Sequence, residues 1–194
     1  MKAARWHEAR GAAADRRHIK ALVSGLYDGD MGRRIASARA LGEISRRDPE
    51  YIRKMWPRIF YAFDDTMSCW GAAEGLGEIG RNVPRLRDRI MLLLRKFQRD
   101  ASSCQGYIWA VTRIGQVEPR RVEGMAADFL RFLDSPEICM AGQAMWALGE
   151  LRVTEAAGCI RRFLGDGRRT WIYDNETARM ESLSEIASEA LAKL

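Results

Sequence analysis

The sequence repeats itself at a step of 35 residues, and this periodicity limits the fold more than any single motif does. Four segments align: Arg34–Ser45, Cys69–Gly80, Cys104–Gly115 and Cys139–Leu151, with first residues 34, 69, 104 and 139. Asp30, Asp65, Asp100 and then Ser135 keep the same step just upstream. Apolar, partly aromatic runs precede them, ending near Tyr27, Phe63, Phe97 and Phe132. A period of this length defines one supersecondary unit that cannot bury its apolar face alone, so neighbouring units must stack.

Each unit holds two helical patterns. Ala38 and Leu41 lie three residues apart, as do Ala73 and Leu76, with Ile44 and Ile79 one turn further on. That is helical spacing, not the alternation of a strand. In the first pattern Ile90, Leu93, Leu94 and Phe97 form one apolar stripe on a basic helix. Asp or Ser ahead of the second helix supplies an N-cap, and Pro49, Pro84, Pro119 and Pro136 sit at or near helix starts. The expected fold is therefore all-α: a right-handed α–α superhelix, or solenoid, of about five helical hairpins with an irregular last unit. The boundaries read as an N-terminal arm or cap over 1–18 and a repeat domain over 19–194. Its units span about 19–48, 49–83, 84–118, 119–153 and 154–194. In the last unit Gly165–Asn175 inserts a Gly-rich turn and an extended Trp-Ile-Tyr segment, which either caps the final core or folds over the inner surface.

The pattern Asp-x-x-x-Arg-x-x-Ala-x-x-x-Leu-Gly, carried by Asp30, Arg34, Ser37 in the Ala place, Leu41 and Gly42, resembles the short HEAT-like repeats first associated with phycobilin lyases. The resemblance covers residues 19–194 and implies the fold rather than an activity. The Arg that bonds turn Asp residues in such repeats survives only as Arg34, with Cys69, Cys104 and Cys139 in its place.

Composition excludes several classes. Hydrophobic residues make up 47% and charged residues 30% of the 194, too apolar for a disordered chain. No apolar run approaches the roughly 18 residues of a membrane span, so no membrane partner is expected. With four cysteines and no export signal, the sequence reads as cytoplasmic. Gly75-Leu-Gly-Glu-Ile-Gly80 matches a dinucleotide fingerprint, but a helical segment, not a strand, precedes it; these glycines read as close helix contacts. Cysteines in register on stacked helices stand about 8–10 Å apart, too far to share one zinc or a disulfide. They, and Cys159, read as core. The only histidines are His7 and His18. The reading therefore expects no catalytic residue, no metal and no cofactor.

Gly42, Gly77, Thr112 and Gly149 mark equivalent places on the second helices. One turn around from the core stripe lies a second stripe: Ile35, Arg39, Glu43; Trp70, Glu74, Glu78; Gln105, Trp109, Arg113; Gly142, Trp146, Glu150; and finally Glu185, Glu189, Lys193. Three of the six tryptophans lie on it among glutamates. On a concave surface this forms an aromatic, acidic groove suited to a cationic group. Trp70, Glu74, Glu78, Gln105, Trp109, Arg113, Trp146 and Glu150 are the expected binding residues. Arg46, Arg47, Arg81, Arg120, Arg121 and Arg152 follow the second helices and form a basic rim on a chain of net charge +6. The leading expectation is a non-catalytic scaffold or binding module that holds a protein segment or cationic ligand in this groove, with nucleic acid as a second partner along the rim. Two alternatives rest on resemblance. The arrangement looks like that of HEAT-like alkylpurine DNA glycosylases, which implies binding of an alkylated base by Trp109, Trp146 and Glu150 or Glu78. The namesake family implies a tetrapyrrole lyase or chaperone, with the pigment stacked on Trp109 or Trp146.

Overall fold

A computed structural model of the chain describes residues 16–64, 71–99 and 104–194. Helices dominate it: α1 (Arg16–Gly25), α2 (Met31–Arg47), α3 (Pro49–Asp64), α4 (Ala72–Asn82), α5 (Arg87–Leu94), α6 (Cys104–Gly115), α7 (Glu123–Phe132), α8 (Ile138–Glu150), α9 (Ala157–Arg161) and α10 (Leu183–Leu191). Single 3-10 turns at Pro84–Leu86, Pro119–Arg121 and Thr154–Ala156 lead into α5, α7 and α9. One antiparallel hairpin, β1 (Arg169–Tyr173) and β2 (Ala178–Ser182), interrupts the last unit where the extended Trp-Ile-Tyr segment was expected.

The even-numbered helices form one row: α2 packs on α4, α4 on α6, α6 on α8 and α8 on α10. Odd-numbered helices back that row, α3 and α5 on α4, α7 on α8 and α9 on α10. Small residues allow the row to close. A Cβ on Gly77 would lie 2.5 Å from the Ala110 Cα, and one on Gly149 would lie 2.8 Å from the Ala190 Cα. Gly75 is equally tight against Leu26 and Phe63, so the Gly75–Gly80 motif is a helix interior shaped for contact. Ala38, Leu41, Ala73, Leu76, Ile108, Val111, Met145 and Leu148, the expected core stripe, are fully buried. Burying each large member contributes roughly 1.5–3 kcal/mol.

Local chemistry sets the ends of these elements. Asp30 Oδ1 accepts from the Arg33 amide at 2.8 Å and caps α2. Ser182 and Glu185 form a reciprocal capping box at α10. In the hairpin turn Asp174 Oδ1 accepts from the amides of Glu176 and Thr177, both at 2.7 Å. Arg34 donates to the carbonyls of Asp28 and Gly29 in the turn before α2. Cys104 is buried and Cys139 half-buried, but Cys159 is exposed, which corrects its core assignment; α9 has five residues and turns that position outward. Residues 1–15 of the expected arm, the caps Asp65 and Asp100, Cys69 and Trp70 lie outside the described residues.

Candidate functional site: the hairpin-covered face of the even-numbered helices

The stripe read from the sequence does converge on one face, and the chain's own β-hairpin fills it. From α6, Gln105 Nε2 donates to the Trp171 carbonyl at 2.6 Å and Trp109 Nε1 donates to the Asp174 carbonyl at 2.7 Å. From α2, Arg39 Nη1 donates to the Glu176 carbonyl at 2.7 Å. From α8, Gln143 donates to the Tyr173 carbonyl at 2.8 Å and accepts from the Tyr173 amide at 2.7 Å. Gly142 leaves room for Thr170 and Ile172, whose methyl carbons lie 3.0 and 3.2 Å from where its Cβ would stand. Side chains from three helices thus hold one extended segment by its backbone.

This placement corrects the expectation of an open groove. Trp109 is fully buried and Trp146 is 3% exposed. The ring of Tyr173 lies edge-on to Trp109, with centroids 6.4 Å apart. A cation does sit over Trp109, but it is Arg113 of the same helix, its Cζ 5.5 Å from the ring centroid. An alkylated base or a flat tetrapyrrole would need these indoles bare, and they are covered.

The carboxylates are equally committed. Glu78 is buried and accepts from Arg113 Nε at 2.6 Å; burial pushes its carboxyl above the ordinary range despite the guanidinium. Arg113 also donates to Gln116 and to Asn175 in the hairpin turn, at 2.9 and 2.8 Å. Burial also acts to raise the Glu150 carboxyl, but hydrogen bonds from Lys193, Asn175 and Gln116 outweigh it and hold the group low. Glu74 is the exception. It is fully enclosed beside Gly106, and burial raises it to about 7 against the pull of Arg34 and a bond to Tyr173. Arg34 in turn reaches the Tyr173 hydroxyl at 3.3 Å.

Sequence reasoning missed Gln143, Gln116, Arg34 as a hairpin contact, and Asn175. Gln143 left the clearest signal: a lone amide inside the otherwise apolar run Ile138–Leu148, where burial demands a partner. The basic rim is partly neutralised. Arg46 and Arg47 pair with Glu43, and Arg121 with Glu118 and Asp88. Arg120 and Arg152 remain exposed.

What the hairpin shows to solvent differs from what it buries. Trp171 and Met180 face each other across the strands and are 46% and 39% exposed. The outer edge of β2 is blunted, because Arg169 donates to the Met180 carbonyl and Glu185 accepts from the Ser182 amide. Among the described residues no helix is long and apolar enough to cross a membrane. No protein-family model matches the chain, and no curated protein matches it.

Proposed function

We propose that this chain is a non-catalytic protein-binding module: a right-handed superhelix of about five HEAT-like hairpins whose concave side clasps its own β-hairpin and presents that hairpin to a protein partner. One observation carries the reading. The hairpin is anchored through its backbone and turn to three helices, while the Trp171–Met180 pair stays exposed. A rigid, partly exposed tryptophan loses little conformational freedom on binding and is the kind of residue that dominates interface energetics. Arg168 and Arg169 beside it supply a polar rim.

The groove lining supports the same class of activity. Amide, indole and guanidinium donors reach carbonyls of an extended segment, which is how a peptide would be held whatever its side chains. In this chain the segment is supplied in cis. The test is affinity capture from the native host with the wild-type chain and the Trp171→Ala/Met180→Ala double variant. The double variant is expected to lose the partner with its thermal midpoint within about 2 °C of wild type, since both positions are surface sites. Capture of the same partner at equal yield would refute the reading.

A further inference from the structure

We propose a second site, on the opposite side of α6 from the hairpin, that binds the phosphate group of a phosphorylated ligand. Between α5 and α7 lies a cavity of about 690 Å³, open to solvent on one side and lined by Arg95, Lys96, Gln98, Tyr107, Arg121 and Asp128, with Gly124 and Met125 on the α7 wall. Three cations face one carboxylate. That carboxylate is already engaged, for Asp128 accepts from Gln98 Nε2 at 2.7 Å and pairs with Arg131. Arg121 is shared with Glu118 and Asp88, whereas Arg95 makes no ion pair among the described residues.

The second observation is Tyr107. Its side chain is fully buried and its hydroxyl has no hydrogen-bond partner among the described residues. Leaving a buried hydroxyl unsatisfied costs about 1–3 kcal/mol, so such groups call for an explanation. The ring is wedged edge-on against Phe129, with centroids 6.4 Å apart. Tyr107 lines the same cavity as Asp128 and Arg95. A donor with no acceptor among the described residues, lining the same cationic cavity as a guanidinium without an ion pair there, fits an anionic oxygen. Phosphate offers several such oxygens and suits an Arg fork. The volume exceeds a bare phosphate and falls in the range of small-ligand sites, leaving room beside Met125 for an attached organic body. Tyr107 stands two residues from Gln105 and from Trp109 on α6, so this site and the hairpin contacts occupy different faces of one helix.

Calorimetric titration with sodium phosphate, AMP and a short single-stranded oligonucleotide tests it. Phosphate and AMP are expected to bind, AMP with a Kd below about 1 mM. Arg95→Ala, at an exposed position, and Tyr107→Phe are each expected to weaken binding about tenfold or more. Tyr107→Phe should leave the ligand-free chain at least as stable as wild type, because it removes an unmet polar group. Binding of the oligonucleotide but not AMP, lost in the same two variants, would also support the phosphate site and assign the phosphate to a nucleic-acid backbone. Absence of binding by all three probes up to about 10 mM, or binding unchanged in both variants, would overturn the proposal.

Discussion

Gln143 of α8 holds Tyr173 of β1 by both of its backbone groups, donating to the carbonyl at 2.8 Å and accepting from the amide at 2.7 Å. A side-chain amide here does what a neighbouring strand would do, and so ties a two-stranded hairpin to a helix. An isolated hairpin of this size is marginal in water. Gln143→Leu should therefore cost about 2–4 kcal/mol, since two buried backbone groups lose their partners. Hydrogen exchange is expected to accelerate across 169–182 while α4 and α6 stay protected. Uniform loss of protection would mean that Gln143 serves the core alone.

Arg113→Met should be more damaging, because Glu78 would be left buried without its cation and Asn175 would lose a donor. Breaking a buried pair typically costs about 3–5 kcal/mol. Denaturant unfolding should show that the double variant Arg113→Met/Glu78→Leu recovers much of the loss. Additive losses in that cycle would contradict a direct pair.

Glu74 predicts a pH dependence. Its carboxyl is raised from 4.5 to about 7 in the folded chain by burial. A raised acid contributes its stability fully below about pH 4.5 and loses it as pH climbs through about 7, where the unfolded chain gains by ionising first. The loss amounts to about 3 kcal/mol. Carboxylates held low, such as Asp28 and Glu150, act in the opposite sense and only at lower pH. The stability of Glu74→Gln relative to wild type should therefore rise between about pH 4.5 and 7, a window set by these two values. Parallel stability curves across that window would exclude Glu74 as the titrating group.

Gly77 and Gly158 separate two uses of glycine. A Cβ at Gly77 collides with the Ala110 backbone, so Gly77→Val should cost roughly 2–3 kcal/mol or more by prising α4 from α6. Gly158 in α9 has nothing within 4 Å of a new Cβ, and Gly158→Ala should stabilise by about 0.5–1 kcal/mol. Thermal midpoints of the two single variants, moving in opposite directions, would check both.

The 35-residue step, the core stripe and the convergence of Glu74, Glu78, Gln105, Trp109, Arg113 and Glu150 on one face were legible because helical periodicity maps sequence spacing directly onto a surface. What covers that face was not. The hairpin groups that meet Gln105, Trp109 and Arg113 lie 66, 65 and 62 residues away in sequence, and its anchors are mostly backbone groups, which carry no sequence signature. A buried Gln in an apolar helix and a Tyr-Asp-Asn run in an insertion only make sense once placed together. The cavity by Tyr107 was hidden for a related reason. Tyr107 belongs to neither stripe, and only burial without a partner among the described residues sets it apart.

Nuclear Overhauser contacts from the Trp109 indole N–H test the central claim most directly, because that proton points at the Asp174 carbonyl. Cross-peaks to the Tyr173 ring and to backbone protons of residues 173–175, with slow exchange of the indole proton, are the expected result. An indole proton that exchanges with water as freely as in an unfolded chain, with no contact to the hairpin, would contradict the account.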